Sequence, residues 1–107
     1  MIAIEDFRKV ELKIGRVLEA SDHPNADRLL VLKVDVGEEL PRQIVAGIKA
    51  HYAADQLVGK SVIVVSNLQP ATLRGVESQG MVLACTSGAN VIVMTPDREA
   101  MPGSPVS

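Results

Sequence analysis

The polar side chains best suited to hold a ligand are concentrated in one connection, residues 67–80, between two mostly apolar runs, residues 61–65 and 81–85. The connection supplies amide, hydroxyl and guanidinium groups from Asn67, Gln69, Arg74, Ser78 and Gln79. Such groups form hydrogen bonds, and the guanidinium also neutralises anions. Loops held between two strands commonly carry binding residues, so the connection is a candidate binding loop. The alternative is a solvated link between two strands, and composition alone does not decide between them.

The sequence contains none of the motifs that assemble a catalytic centre. GxSxG, HExxH and CxxC are absent, as are the glycine-rich loops that cradle nucleotides. Glu38 and Glu39 are adjacent carboxylates, but they fall in a predicted hairpin turn, where solvation accounts for them. Cys85 lies within an apolar run and is predicted to be a core residue rather than a nucleophile. The sequence therefore predicts a protein without enzymatic activity and without a cofactor.

A turn at residues 21–27 carries two side chains that invite a metal or acid–base interpretation, His23 and Asp27. The other histidine, His51, lies far along the chain with no ligand spacing around it, so no metal site is predicted. Pro24 follows His23 in a segment dense in turn formers. A structural role in a constrained loop is therefore predicted for this histidine.

Length and composition predict one domain, residues 1–107, with its own core. No apolar stretch approaches 18 residues, and the N-terminus lacks the pattern of a signal peptide, so no membrane association is predicted. A single cysteine excludes an internal disulfide and favours a cytoplasmic setting. The net charge of −2 argues against a uniformly basic nucleic-acid binder, although ten of the eleven Lys and Arg residues fall between Arg8 and Arg74. Any site for a polyanion must therefore depend on cations gathered on one face.

The elements that must position these residues are mainly strands, predicted at residues 10–18, 28–36, 41–46, 61–65, 81–85 and 91–94. A short helix is predicted within 2–10, a bulge or sharp bend at Gly15, and a helix or pair of short turns at 47–57. Residues 101–106 are predicted to be irregular. This order is that of an all-β, five-stranded Greek-key barrel of the oligonucleotide-binding (OB) type, with a helix between strands three and four and C-terminal extension strands.

The strands carry more apolar residues than the interior of one barrel needs, because an interior takes only alternate residues of each strand. The surplus lies around residues 62–65 and 91–94. It predicts a second layer over the barrel, and a homodimer would supply one.

Aromatic residues are scarce, since only Phe7 and Tyr52 could stack on bases. Domains that bind single strands depend on such stacking. A nucleic-acid partner would therefore be recognised through the shape and backbone of a folded RNA rather than through unstacked bases.

Several segments in order resemble the tRNA-binding domain shared by the C-terminal extension of methionyl-tRNA synthetases and by free-standing dimeric tRNA-binding proteins. They cover nearly the whole chain: residues 6–17, 23–27, 33–37, 41–48, 57–60, 67–70, 73–76, 78–81 and 102–103. The resemblance implies an OB barrel whose C-terminal strands build a homodimer. It also implies a non-catalytic role, in which tRNA is held by its folded shape with little sequence preference.

Within this family, two forms are open: a free-standing protein, or a β-subunit or C-terminal module that assists a methionyl-tRNA synthetase catalytic chain. Because the domain begins at Met1 without a preceding linker, a naturally separate chain is expected. The alternative function is that of a chaperone-like, export-related dimer, which a branch of the family resembles. That branch is expected to bind unfolded polypeptide through an exposed apolar groove.

The resemblance implies five RNA contacts: Asn25, Lys33, Asn67, Arg74 and Ser78. The two cations would neutralise phosphates, and the amides and hydroxyl would donate to phosphate or ribose oxygens. The alternative for Asn25 and Ser78 is that they only satisfy backbone groups in their loops. A surrounding positive face would draw on Lys13, Arg16, Arg28 and Arg42. Gln69 stands where the family usually has Lys, which removes one charge from this turn.

Overall fold

The computed structural model describes residues 1–107, which form one mostly β unit with two single-turn helices. The strands of the main sheet are β1 (Leu12–Asp22), β2 (Leu30–Asp35), β3 (Arg42–Ala46), β4 (Ser61–Val65), β7 (Met81–Val82) and β10 (Pro105–Val106). They are arranged in the order β3-β2-β1-β4-β7, with β10 paired to the beginning of β1. The helices are α1 (Ile4–Phe7) and α2 (Ala54–Leu57), so the pair of short turns is the form taken by residues 47–57.

The long first strand, β1, bends around the barrel and pairs with two other strands. Its first half pairs with β4, from Leu12 opposite Val65 to Arg16 opposite Ser61, and its second half pairs with β2. The register with β2 shifts between Val17 and Glu19, so the irregularity falls there and not at Gly15. Residues 21 and 22, predicted to begin a loop, continue the strand.

Gly15 faces the barrel interior, where space rather than backbone freedom requires glycine. A Cβ at this position would lie 2.6 Å from Cγ1 of Val34 and 3.1 Å from Cγ2 of Val64. Contacts this short force their neighbours to move. The sequence signal at Gly15 was therefore real, but its physical cause is close packing inside the barrel.

The core is built from alternate residues of the strands and closed at one end by α2. Leu30, Leu32 and Val34 of β2 are buried while the residues between them are half-buried, which is the period-two pattern of a strand with one covered face. The buried cluster consists of Val17, Leu30, Leu32, Val34, Val36, Ile44, Ile48, Leu57, Val62 and Val64.

Residues 78–82 close the barrel between β3 and β4. The backbone N–H of Gln79 donates to the carbonyl of Gln43 at 2.7 Å, and the N–H of Gln43 donates to Oε1 of Gln79 at 2.9 Å. Beyond Gly80 the chain crosses to pair with β4, where Met81 lies opposite Val65. The sheet is thus a nearly closed barrel, and the predicted OB-like all-β class is confirmed.

The candidate binding loop is not a simple connection, because it contains a hairpin of β5 (Ala71–Leu73) and β6 (Val76–Ser78). Arg74 and Gly75 form its two-residue turn with φ of 52° and 87°. Positive φ at both central residues is the geometry that matches the twist of a hairpin.

The C-terminal extension forms a ribbon of β8 (Ala84–Ser87) and β9 (Asn90–Val93) outside the main sheet. Cys85 lies opposite Ile92 on its outer face, so the prediction of a core cysteine is wrong: the residue is exposed. The tail is not wholly irregular, since Pro105 and Val106 pair with β1. Proline is tolerated there because an edge position needs no donor on one side.

Candidate nucleic-acid interface

The loop at residues 23–29 and the tip of the β5–β6 hairpin are joined by the imidazole of His23, which is only 4% exposed. Nδ1 of His23 accepts the backbone N–H of Asn25 at 2.9 Å. The proton of the neutral ring is therefore on Nε2, which donates to the carbonyl of Leu73 at 2.9 Å. The structural role predicted for His23 is confirmed, and the loop and hairpin become one rigid surface.

Two arginines converge where the loop meets the hairpin. Arg28 and Arg74 line a cavity of about 330 Å³ together with Ala26, Asp27 and Leu29. Neither guanidinium takes part in any of the protein's ion pairs, which involve Lys9, Lys13, Arg16, Arg42, Lys49 and Arg98. Cations without a protein partner are the ones free to bind an external anion.

Lys33 lies on the outer side of β2, beside the same hairpin. Its Nζ donates to Oε1 of Gln43 at 2.9 Å, and Nε2 of Gln43 donates to the carbonyl of Glu77 at 2.8 Å. This chain of contacts places Lys33 next to β6, with the ammonium in no ion pair. The structure therefore arranges Lys33, Asn25 and Arg74 along the surface made by β2, β3, the 23–29 loop and the hairpin.

Asn67 is turned away from this surface toward the N-terminal segment. Its Oδ1 accepts the N–H of Glu11 at 2.8 Å, and its Nδ2 donates to the carbonyl of Lys9 at 2.6 Å. Both ends of the amide are therefore used to hold residues 9–11. Contact between Asn67 and RNA stays a prediction, and the side chain has a structural role that sequence reasoning missed.

Ser78 lies in the closure of the barrel and is only 5% exposed. Its hydroxyl accepts the N–H of Val45 at 3.0 Å and donates to the carbonyl of Gly80 at 3.0 Å. This is the alternative stated for Ser78, in which the hydroxyl satisfies backbone groups. Asn25 differs, because its side chain makes no hydrogen bond and is exposed; only its backbone N–H is engaged.

Among the cations predicted to surround the site, Arg28 alone is unpaired. Lys13 pairs with Glu11 at 3.2 Å, and Arg16 pairs with Glu99 at 2.9 Å. Arg42 binds Glu38 through two hydrogen bonds of 2.8 Å. A sequence signal for the last pair existed, since Glu38 falls in the predicted hairpin turn and Arg42 follows four residues later.

Arg42 also ties together three segments at the closure of the barrel. Its guanidinium donates to the carbonyl of Ser66 and, at 3.1 Å, to that of Gln79. The hydrogen bonds from Arg42 hold the pKa of Glu38 below its usual value, with burial opposing them. The same hydrogen bonds raise the pKa of Arg42. This arginine is a structural link and leaves no free donor edge for a phosphate.

No group of three or more His, Cys, Asp or Glu side chains is arranged to hold a metal ion. None of the helices has the length and apolar character needed to cross a membrane. A small β-barrel with unpaired cations gathered on one loop-bearing surface has the features of a nucleic-acid-binding domain.

Residues 12–105 match the family model described as "Putative tRNA binding domain". The chain belongs to this family of tRNA-binding domains, which is non-catalytic.

The chain is similar to proteins of two kinds. It is 50% identical over 105 residues to the methionine–tRNA ligase of Pyrococcus horikoshii, covering 98% of this chain but only 14% of the ligase. A solved MetRS-related protein of P. horikoshii superposes with a TM-score of 0.93 at 33% identity, covering 100% of this chain and 98% of that one. The CsaA chaperone protein of Picrophilus torridus superposes with a TM-score of 0.92 at 30% identity, with both chains fully covered.

Proposed function

We propose that this protein binds tRNA without catalysing a reaction, either as a free-standing protein or as a module that assists a methionyl-tRNA synthetase. The observation that carries this proposal is the gathering of three unpaired cations, Arg28, Lys33 and Arg74, on one surface of a protein whose net charge is −2. Local positive charge on a near-neutral scaffold attracts a polyanion while limiting indiscriminate binding.

In this proposal, Lys33 and Arg74 neutralise phosphates of the RNA backbone, and the free amide of Asn25 donates to a phosphate or ribose oxygen. Asn67 and Ser78 support the surface by holding backbone segments. Any contact that they make with RNA uses the hydrogen-bonding positions that these bonds leave unoccupied. The position of Gln69 supplies no cation to its turn, so the charge is concentrated at the hairpin tip.

The proposed mode of recognition is the shape of a folded RNA. The hydroxyl of Tyr52 accepts the N–H of Val93 at 3.0 Å. Phe7 lies in α1 and lines a different cavity, between that helix and residues 105–107. Neither ring belongs to the surface that carries Lys33 and Arg74. Base stacking therefore has little part in the binding we propose.

Arg74→Ala tests the proposal through the salt dependence of tRNA binding. The slope of log K against log salt is expected to become shallower by about one contact, since each neutralised phosphate contributes roughly 0.7 to 0.9 to the slope. Arg98→Ala is the matched control, because Arg98 is paired with its neighbour Asp97 and its side chain is 87% exposed. The measurement is filter binding or fluorescence anisotropy across a salt series.

Two results would count against the proposal. One is binding of tRNA that is insensitive to salt. The other is equal competition by unstructured single-stranded RNA, which would mean that a folded shape is not what the surface recognises.

We also propose that the protein forms a homodimer through the outer face of the β8–β9 ribbon. Leu83, Cys85, Ile92 and Met94 lie on that face by the alternation of the two strands, with Met94 bonded to Leu83 and Cys85 opposite Ile92. Ile92 and Met94 are both more than two-fifths exposed. An apolar strand face of this kind is stabilised when a second copy covers it.

The role beside a methionyl-tRNA synthetase rests on the similarity to the methionine–tRNA ligase, of which this chain spans 14%. In this form the domain would raise the enzyme's affinity for tRNA by adding a second contact to the same molecule. A synthetase catalytic chain supplied with this protein should then show a lower KM for tRNA. An unchanged KM, with tRNA binding by this protein intact, would favour the free-standing form.

The second candidate is a chaperone-like dimer that binds unfolded polypeptide. It is favoured by the similarity to the CsaA chaperone structure and by the exposed apolar ribbon face. The two functions separate in a competition experiment, because a denatured protein should not displace tRNA from the cationic surface. Tight, salt-insensitive binding of a reduced, unfolded protein with no measurable tRNA binding would favour the chaperone.

A further inference from the structure

The cavity between the 23–29 loop and the hairpin tip has the composition of a site for a single anionic group. Its volume of about 330 Å³ exceeds that of one phosphate, and Arg28 and Arg74 are both among the residues that line it. Arginine presents its donors in a planar fork that matches the oxygens of a phosphate. Neither arginine forms an ion pair within the protein. Binding a phosphate therefore does not require either arginine to give up a carboxylate partner.

The cavity is also lined by an acidic residue, Asp27, so both arginines are needed to give it a net positive charge. The negative charge of Asp27 works against an anion bound there. With both arginines present the lining carries one net positive charge, which matches the single negative charge of a phosphodiester. With either arginine removed the lining is neutral, and an anion has no net attraction.

The two arginines come from different segments, and His23 holds those segments together. The ring accepts from the N–H of Asn25 in the loop and donates to the carbonyl of Leu73, the residue directly before Arg74. Arg74 itself adopts φ of 52°, a conformation fixed by the tight turn that it forms with Gly75. The loop is also tied at Arg28, whose carbonyl accepts the N–H of Lys49 at 3.3 Å.

We propose that this cavity binds one phosphate group, held jointly by Arg28 and Arg74, and that His23 is the positioning residue that keeps the two arginines on the same phosphate. The identification of the phosphate as part of a tRNA backbone rests on the proposed function. The cavity's affinity for phosphate does not, and it can be tested without RNA.

The first experiment titrates the protein with inorganic phosphate and follows the Nε–H signals of both arginines by NMR. Signals of Arg28 and Arg74 should shift together along one binding curve, with those of Arg98 unchanged. Arg28→Ala should abolish the shift of Arg74, since the remaining lining is neutral. Independent curves for the two arginines, or no shift at millimolar phosphate, would overturn the proposal.

The second experiment measures tRNA binding for Arg28→Ala, Arg74→Ala and the double variant across a salt series. If one phosphate is shared, each single variant and the double variant should lose the same single unit of salt slope, roughly 0.7 to 0.9. Affinity should fall by about tenfold in each single variant, with little further loss in the double. Two units lost in the double variant would mean two separate phosphates and would overturn the proposal.

The role of His23 is tested by two substitutions that keep different halves of its hydrogen bonding. His23→Asn places an acceptor near the N–H of Asn25 but cannot reach the carbonyl of Leu73. His23→Gln places an amide donor near that carbonyl. The non-additivity between Arg28 and Arg74 should disappear in the Asn background and be retained in the Gln background, with circular dichroism confirming that both variants fold.

The outcomes separate this inference from the proposed function. Salt-dependent tRNA binding with additive arginine effects would reject the shared site and leave tRNA binding in place. A shared phosphate site without tRNA binding would reject the proposed function and make free phosphate or another phosphorylated molecule the ligand. Equal non-additivity in both His23 variants would reject the positioning role alone.

Discussion

Asn25 and Asn67 carry the same side chain, but the protein uses them for different purposes. The side-chain amide of Asn67 forms hydrogen bonds with the backbone of Lys9 and Glu11. In Asn25 only the backbone N–H is bonded, to His23, and the side-chain amide is exposed. The residue types suited to hydrogen bonding are visible in the sequence. Their partners are not, because the contacts of Asn67 span 56 and 58 positions of the chain.

Asn67→Ala is expected to lower the free energy of unfolding and to leave tRNA binding nearly unchanged. The substitution removes the two hydrogen bonds that hold residues 9–11, which contribute about 1 kcal/mol each at most in an exposed setting. Urea denaturation measures the first quantity and anisotropy with tRNA the second. Loss of tRNA affinity at unchanged stability would instead identify Asn67 as an RNA contact.

The sequence could predict which types of side chain form the site, but not which of them are free to bind a ligand. Arg74 and Lys33 make no ion pair in the structure, which suits the phosphate-binding role predicted for them. From the sequence, Arg28 and Arg42 were assigned to the same surrounding positive face, and the structure separates the free guanidinium from the one bonded to Glu38. Pairing depends on which segments meet in space, which composition and periodicity do not encode.

At the scale of elements, burial explains why β2 could be predicted and the β5–β6 hairpin could not. β2 alternates between buried and half-buried residues, and its position was predicted. β5 is exposed along its whole length, so no hydrophobic period marks it, and its hairpin was missed. The turn at Arg74 and Gly75 also lacks the Asn-Gly or Asp-Gly pair that announces such hairpins.

The Arg42–Glu38 contact supports the closure of the barrel, and Arg42→Lys should weaken it. Lysine can replace the charge but not the forked contacts to Glu38 and to the carbonyls of Ser66 and Gln79. A loss of about 1–3 kcal/mol in the free energy of unfolding is expected. Urea denaturation checks it, with Arg98→Lys as the control, and equal stability of the two variants would contradict the linking role.

The acid sensitivity of the protein should depend on the same pair. The pKa of Glu38 is lowered in the folded state, chiefly by the hydrogen bonds from Arg42. Its contribution to stability is therefore present above the ordinary carboxyl pKa of about 4.3 and is lost as pH falls through the lower folded value. Glu38→Gln should flatten the fall in stability below about pH 5. An unchanged profile would assign acid sensitivity to other carboxylates, such as Glu11, whose pKa is also lowered, first by its hydrogen bond with Lys13.

At the scale of the whole molecule, the barrel could be predicted because the apolar strand patterns follow one another in the order typical of this architecture. The closure through Gln79 could not, because this residue bonds to β3 through both its backbone and its side chain and stands before the predicted strand at residues 81–85. The surplus of apolar residues in the last strands was also visible. It resides in the outer face of the β8–β9 ribbon, which this chain alone leaves uncovered.

Ile92→Asp should convert the proposed dimer into a monomer. The substitution places a charge in the middle of the apolar ribbon face, where burial against a second copy would remove it from water. Sedimentation at micromolar concentration measures the change. Leu40→Asp is the control, since Leu40 is 75% exposed in the turn after β2. A monomer in the unaltered protein would remove the homodimer proposal.

The cavity beside α1 brings Ile4 and Ser107 close together, since both line its 530 Å³. A short linker could therefore join them, and new ends could be opened in an exposed turn such as that at Gly88. Such a circular permutant should keep the phosphate cavity, which lies on segments that neither the linker nor the cut would touch. Fusing another protein to the segment at Ile4 or at Ser107 should likewise leave the proposed RNA-binding surface unobstructed.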